Sequence, residues 1–144
     1  MLTLPGASLL RAATTERIVA DILTGLAISG LDPVAYFTDG EPLAGRGDHE
    51  LSYQGVVWRF RNAGNKAAFV AHPDVYMPRY GGYDAIAIGR GVAVPGNPLL
   101  WARVGDRIYL FYDERARDRF IADPHEAILI ADNKWPSVMS GLVP

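Results

Sequence analysis

The sharpest change of hydrophobic period along the chain falls between Leu51 and Pro73. Leu51-Ser52-Tyr53, a Gln54-Gly55 turn and Val56-Val57-Trp58-Arg59-Phe60 read as two strands of a β-hairpin, the second rich in β-branched and aromatic residues. Asn62 then offers a side-chain oxygen to an orphan helix amide. Lys66-Ala67-Ala68-Phe69-Val70-Ala71 continues as a helix that Pro73 ends. The same order returns from Leu100: a strand to Val104, a Gly105-Asp106 turn, and Arg107-Ile108-Tyr109-Leu110-Phe111. Asp113 caps a second helix, which runs through Phe120, Ile121 and Ala122 to Pro124.

The two stretches match at a fixed spacing of 51 residues. Trp58 meets Tyr109, Phe60 meets Phe111, Asn62 meets Asp113 and Lys66 meets Arg117. Phe69 meets Phe120, Val70 meets Ile121 and Pro73 meets Pro124. Each pair has one mechanical job, as strand core, helix cap, helix core or helix stop, so the pattern predicts a structural repeat. The fold class expected is α+β: two ββα units sharing one core, a small antiparallel sheet packed by short helices. Trp58, Phe60, Phe69, Tyr109, Phe111 and Phe120 are expected to be buried together. The units are placed at about 51–76 and 100–127 within a domain over 26–136, with an arm over 1–25 and a tail over 137–144.

The flanks carry weaker signals. Leu10, Thr14, Ile18 and Ile22 lie four apart as on a helix, while Thr24-Gly25 is a turn between two apolar pieces, as in a hairpin. The reading taken is a short helix or loose arm to about Thr15, then two short extended pieces. Asp32-Pro33 opens a helical turn over Val34-Ala35-Tyr36-Phe37, and the Gly-, Asp- and Pro-rich stretch from Thr38 to Asp48 reads as a loop. Gly81-Gly82 between Tyr80 and Tyr83 permits close backbone approach, ahead of a short apolar helix at Ala85. A last helix starts at Asp123-Pro124 and is expected to stop before Pro136.

Composition narrows the chemistry. Fourteen Lys and Arg against 16 Asp and Glu leave a formal charge of −2, and no basic stripe stands out, so a nucleic-acid partner is not expected. With no cysteine, thiol nucleophiles, disulfides, thiolate zinc sites and iron–sulfur clusters are excluded. No apolar run approaches the ~20 residues of a membrane helix. Arg11, Glu16, Arg17 and Asp21 interrupt what an export signal would need as its apolar stretch. The expectation is a soluble cytoplasmic domain, or a periplasmic one if the N-terminal stretch is a trimmed or degenerate export signal.

The run Leu31-Asp32-Pro33-Val34-Ala35-Tyr36-Phe37, the hairpin-helix from Ser52 through Trp58-Arg59-Phe60 to Ala68-Phe69, and His72-Pro73 to Tyr76 resemble a YHS domain. Tyr80-Gly81-Gly82-Tyr83 and Asn133-Lys134-Trp135-Pro136 are similar to the extended, bacterial stand-alone branch of that family. The resemblance covers about residues 26–136 and implies a small accessory or binding module, often one that holds metal through cysteines. Those thiols would fall at Ala35, in the Arg61–Gly64 region and at Asp84, and none is present. The fold implication stands beside this departure; the soft-metal implication does not.

No catalytic set assembles from the sequence. His49, His72 and His125 match no metal spacing, and His72 suits a helix C-terminus. Asp84 is the most distinctive carboxylate: against Gly81-Gly82 it would serve a ligand or acid–base step, or else cap the helix at Ala85, the reading favoured here. Gly89-Arg90-Gly91 is no phosphate loop, and no serine lies in a nucleophile elbow. Tyr36, Tyr53, Tyr76, Tyr80 and Tyr83 with Trp58 join apolar bodies to polar tips and would suit a flat ligand, or a core and subunit contact. The function expected is a non-enzymatic YHS-like binding or accessory module, self-associating or docking on a protein partner through aromatic surface. The alternative is a small-ligand or hard-metal-ion binding protein using Tyr80, Gly81, Gly82, Tyr83 and Asp84 with Tyr36 and Trp58. Its metal candidates are His72 and Asp84, and no cofactor is expected.

Overall fold

The computed structural model describes residues 16–144; the helix or arm expected up to Thr15 lies outside them. Helix α1 (Ala35–Thr38) precedes strands β1 (Arg46–Tyr53) and β2 (Val56–Phe60), then helices α2 (Ala63–Ala71), α3 (Pro73–Tyr76) and α4 (Ala85–Gly89). Strands β3 (Asn97–Val104) and β4 (Arg107–Phe111) follow, then helices α5 (Glu114–Ala122) and α6 (Pro124–Ser140). The architecture is α+β: β1 pairs antiparallel with β2, β3 pairs antiparallel with β4, and the helices pack on these two separate two-stranded sheets.

The repeat holds at the level of single contacts. Asn62 caps α2 by accepting from the amide of Asn65, and Asp113 caps α5 by accepting from Ala116. The ring of Trp58 lies 5.1 Å from Phe69 at 38°, and that of Tyr109 lies 5.0 Å from Phe120 at 37°. Phe60 and Phe69 are 5.2 Å apart, and Phe111 and Phe120 are 4.9 Å apart. Both hairpins also carry a register irregularity at the same place, between Arg46 and Glu50 and between Asn97 and Trp101. That irregularity carries pairing back to Arg46 and Asn97, so the expected loop over 38–48 is shorter than its composition suggests.

Gly45 and Gly96 enter the two hairpins at points where nothing larger fits. A Cβ at Gly45 would stand 2.5 Å from the carbonyl carbon of Arg59, and one at Gly96 would stand 2.7 Å from Cβ of Leu110. The crossing chain is tied there by Gly45 donating to the Gly30 carbonyl and Gly96 donating to the Gly82 carbonyl, both at 2.9 Å. Arg59 and Leu110 are themselves a matched pair at the 51-residue spacing.

All six expected aromatics are buried, but as two trios. Trp58, Phe60 and Phe69 form one cluster with Tyr36 and Val34; Tyr109, Phe111 and Phe120 form the other with Tyr80, Tyr83 and Ile88. The reason is the alternation of strand side chains. On β4, Tyr109 and Phe111 face the second cluster, while Ile108 and Leu110 face the first. Strand β4 is therefore a wall common to both clusters and is buried on both faces. Its counterpart β2 buries Val56, Trp58 and Phe60 and leaves Val57 and Arg59 half-exposed. The partial cover over β2 comes from the segment Gly25–Ala27, bonded through Val57 on both sides.

The duplication reaches further back than the hairpins. A left-handed turn at Ile28, Ser29 and Gly30 (φ 44°, 57° and 78°) recurs at Tyr80, Gly81 and Gly82 (φ 58°, 63° and 89°). Leu31 then bridges Ala44 as Tyr83 bridges Pro95. The turn residues and the Leu31/Tyr83 pair lie 52 residues apart, one more than the hairpins, while Ala44 and Pro95 already stand at 51, so each full unit begins at this turn.

At the far end, α6 continues through Pro136 to Ser140, against the expected stop before that proline. Proline removes one amide and leaves the carbonyl of Asp132 without its helical donor. Asp132 is exposed, so water can take that carbonyl, and Trp135 and Val138 packing on the second cluster hold the helix on either side of the break.

Candidate functional site

Asp84 ends the left-handed turn of the second unit and is 3% exposed. One carboxylate oxygen, Oδ1, accepts from the amides of Ile86 at 2.7 Å and Ala87 at 3.0 Å, capping α4 as the sequence suggests. The other, Oδ2, accepts from the amide of Tyr112 at 2.7 Å, the first residue past β4. A cap that also reaches across to a strand end fixes α4 to the hairpin.

Asp32 holds the same post in the first unit and is fully buried. Its Oδ1 accepts from Val34 at 2.7 Å, and its Oδ2 accepts from the amide of Arg61 at 2.8 Å, the first residue past β2. Oδ2 takes a further bond at 2.7 Å, from the side-chain amide of Asn65. The residue matching Asn65 in α5 is Ala116, which has nothing to donate from its side chain. The second unit therefore has an open space where the first has a side chain. A pocket of about 310 Å³ lies there, lined by Asp84, Ile86, Val94, Tyr112, Asp113 and Ala116 together with Arg90, Arg115 and Arg119. That volume is at the lower end of those that hold small ligands.

The tyrosines take structural roles. Tyr80 donates its hydroxyl to Asp132 at 2.8 Å, and Arg79 reaches the same carboxylate at 3.3 Å. Burial, and then the Asp132 carboxylate, push the Tyr80 phenol well above its ordinary value. Tyr83 donates to the Glu16 carbonyl, and burial pushes its phenol up to about 12. Tyr36 donates to the Pro98 carbonyl at 2.7 Å and meets Trp101 edge-on at 5.2 Å, joining the units, and burial raises its phenol strongly. Trp58 donates to the Tyr53 carbonyl at 3.2 Å. The expected ligand set is thus divided, with Tyr80 and Tyr83 in the second cluster and Tyr36 and Trp58 in the first.

Gly81 serves backbone approach. A Cβ there would meet the Arg17 carbonyl oxygen at 1.8 Å, and the Gly81 carbonyl accepts from Val19 at 2.8 Å. Gly82 lines a crevice of about 130 Å³ with Leu26, Ile28 and Leu110, too small for most organic ligands.

His72 is exposed at the junction of α2 and α3, where its backbone amide closes α2, and His125 is exposed on α6. Among the described residues, no group of three or more His, Asp or Glu side chains is placed to hold a metal ion. Among the same residues no helix is long and apolar enough to cross a membrane.

Sequence reasoning singled out Asp84 but missed Asp32, Ala116 and the three arginines. Asp32 and Asp84 share one local pattern, an acid two residues after a left-handed glycine whose carboxylate accepts from the amide two residues further on, Val34 or Ile86, and that is the signal that links them. Compared with family models, with curated proteins and with solved structures, the chain matches none.

Proposed function

We propose that this chain is a YHS-like binding module without catalytic chemistry of its own, and that its ligand sits in the pocket over Asp84. The observation that carries this reading is the difference between matched positions Asn65 and Ala116. In the first unit a side-chain amide closes the buried carboxylate; in the second the same carboxylate lines a pocket. A polar acceptor buried to this degree costs free energy unless something donates to it. Asp84 Oδ2 has one protein donor where Asp32 Oδ2 has two, so a ligand donor can take the place of the amide. The carboxylate is committed to three backbone amides, which suits holding a ligand better than cycling a proton.

A thermal-shift screen of small polar compounds and divalent cations tests it, because any ligand specific to the folded state raises the melting temperature by mass action. At least one compound should stabilise the protein and lose its effect in Ala116→Asn, which restores the side chain of the first unit. Equal responses from both proteins to every compound would remove the pocket from consideration. A response to divalent cations that depends on His72 would favour metal binding instead.

A further inference from the structure

We infer that the ligand of the Asp84 pocket is a small organic anion, a carboxylate or phosphate monoester, that also carries a hydroxyl or amino group. The inference rests on the binding-module reading above and adds the chemistry of what is bound. Arg90 at the end of α4, and Arg115 and Arg119 one turn apart on α5, line the pocket. None of the three forms an ion pair among the described residues, whereas Arg46, Arg59, Arg79 and Arg103 each do.

Two carboxylates also line the pocket, and both are already engaged. Asp113 accepts from Ala116 at 2.9 Å as the helix cap, and Asp84 accepts its three backbone amides. Three guanidinium groups thus meet two committed carboxylates, and the remaining positive charge is available to an anion. Guanidinium groups offer planar, paired donors that match carboxylate and phosphate oxygens.

The first unit supplies an internal control. The positions matching Arg90, Arg115 and Arg119 are Thr38, Gly64 and Ala68. The unit that fills its space with Asn65 has no cation at any of these positions. The missing amide and the added arginines occur together, in one unit, around one carboxylate. The arginines select an anionic group, and Asp84 Oδ2 selects a hydrogen-bond donor on the same molecule. A neighbouring apolar depression of about 230 Å³ shares Ile86, Arg90 and Arg119 and continues over Ala127 and Ile130, giving room for a few carbon atoms beyond the polar ends.

Isothermal titration with glycerol 3-phosphate, glycerate, inorganic phosphate and glycerol separates these features. At least one of glycerol 3-phosphate and glycerate should bind, about tenfold or more tightly than both inorganic phosphate and glycerol. Which of the two binds distinguishes a phosphate from a carboxylate source. Affinity should fall about tenfold in Arg119→Gln, decline as salt is raised, and be lost in Ala116→Asn with the melting temperature preserved.

Binding no tighter than that of inorganic phosphate, or binding that survives Ala116→Asn, overturns the inference. So does the failure of both hydroxylated anions to bind at millimolar concentration. If a neutral or cationic compound protects the unaltered chain but not Ala116→Asn, the pocket stands and the anionic ligand class falls. If Ala116→Asn changes no response of any kind, both readings fall.

Discussion

Phe69 and Phe120 occupy one place in two copies of the same module: each is fully buried, and each meets the two matched aromatic rings on the second strand of its own hairpin at nearly equal distances and angles. Truncating either to Ala removes the ring on which its trio is built, and should cost about 3–5 kcal/mol in chemical denaturation. The two losses should be similar. A cost below about 1 kcal/mol at either site would mean that the helix there is not packed on its hairpin.

The buried aspartate of the first unit should matter more than an ordinary cap. Asp32→Ala leaves three donors inside the protein without an acceptor, and the penalty should exceed that of Asp113→Ala, whose cap bond is exposed and worth about 0.5–2 kcal/mol. Asn65→Ala removes one donor of the same network and should cost about 1–2 kcal/mol while opening a pocket like that of the second unit. Urea titration of the three variants gives the order directly. Equal losses for Asp32→Ala and Asp113→Ala would contradict the network.

Alkali should weaken the fold through its tyrosines. The phenols of Tyr36, Tyr80 and Tyr83 are all raised from an ordinary value of 10.0 by burial, that of Tyr83 to about 12. In the window above pH 10 the folded chain keeps protons that the unfolded chain has released. Unfolded molecules then bind fewer protons than folded ones, so stability falls with rising pH. The contribution is complete below pH 10 and is lost as pH rises through about 12 for Tyr83, and beyond for the other two. Ultraviolet titration of the native protein should show these phenols ionising late. Ionisation of every tyrosine near pH 10 with the fold intact would refute their burial.

Glycine is required where the chain crosses each hairpin. Gly45→Ala and Gly96→Ala both force a methyl group to within 3.0 Å of fixed atoms, so either change should shift backbone and cost about 1–3 kcal/mol or more. Gly55→Ala has open space around its Cβ, and its cost should come from the positive φ alone. Melting temperatures of the three proteins compare crowding with backbone strain; an unchanged value for Gly96→Ala would show that the crossing is looser than described.

The hairpins and their helices were legible because caps, aromatic cores and prolines are chosen by local physics and fall at one spacing. Trp58 and Tyr109 are recognisable as a pair before any contact is known. The turns before them were not, because they are offset by one further residue. Ile28-Ser29-Gly30 also gives no outward sign of the left-handed backbone that Gly81-Gly82 makes plain in its partner. Asp84 could be read as a cap from Ala85 onward, but its bond to Tyr112 joins positions 28 residues apart, and local pattern carries no record of that. The pocket was less visible still. It arises from what Ala116 lacks, and an alanine in a helix is the least informative residue a sequence can show. The segregation of rings into two trios had a trace in Leu110, apolar where β2 has Arg59.

Arrays of repeated modules usually meet only at their edges, so that stability is roughly a sum over links and an end copy can be removed. Strand β4 rules out that behaviour in this chain. Its two faces belong to different clusters, and cutting away either copy would strip one side of the other's inner wall to water. The duplicated halves have become inseparable, free to diverge at a side chain such as Ala116 while neither can be dispensed with.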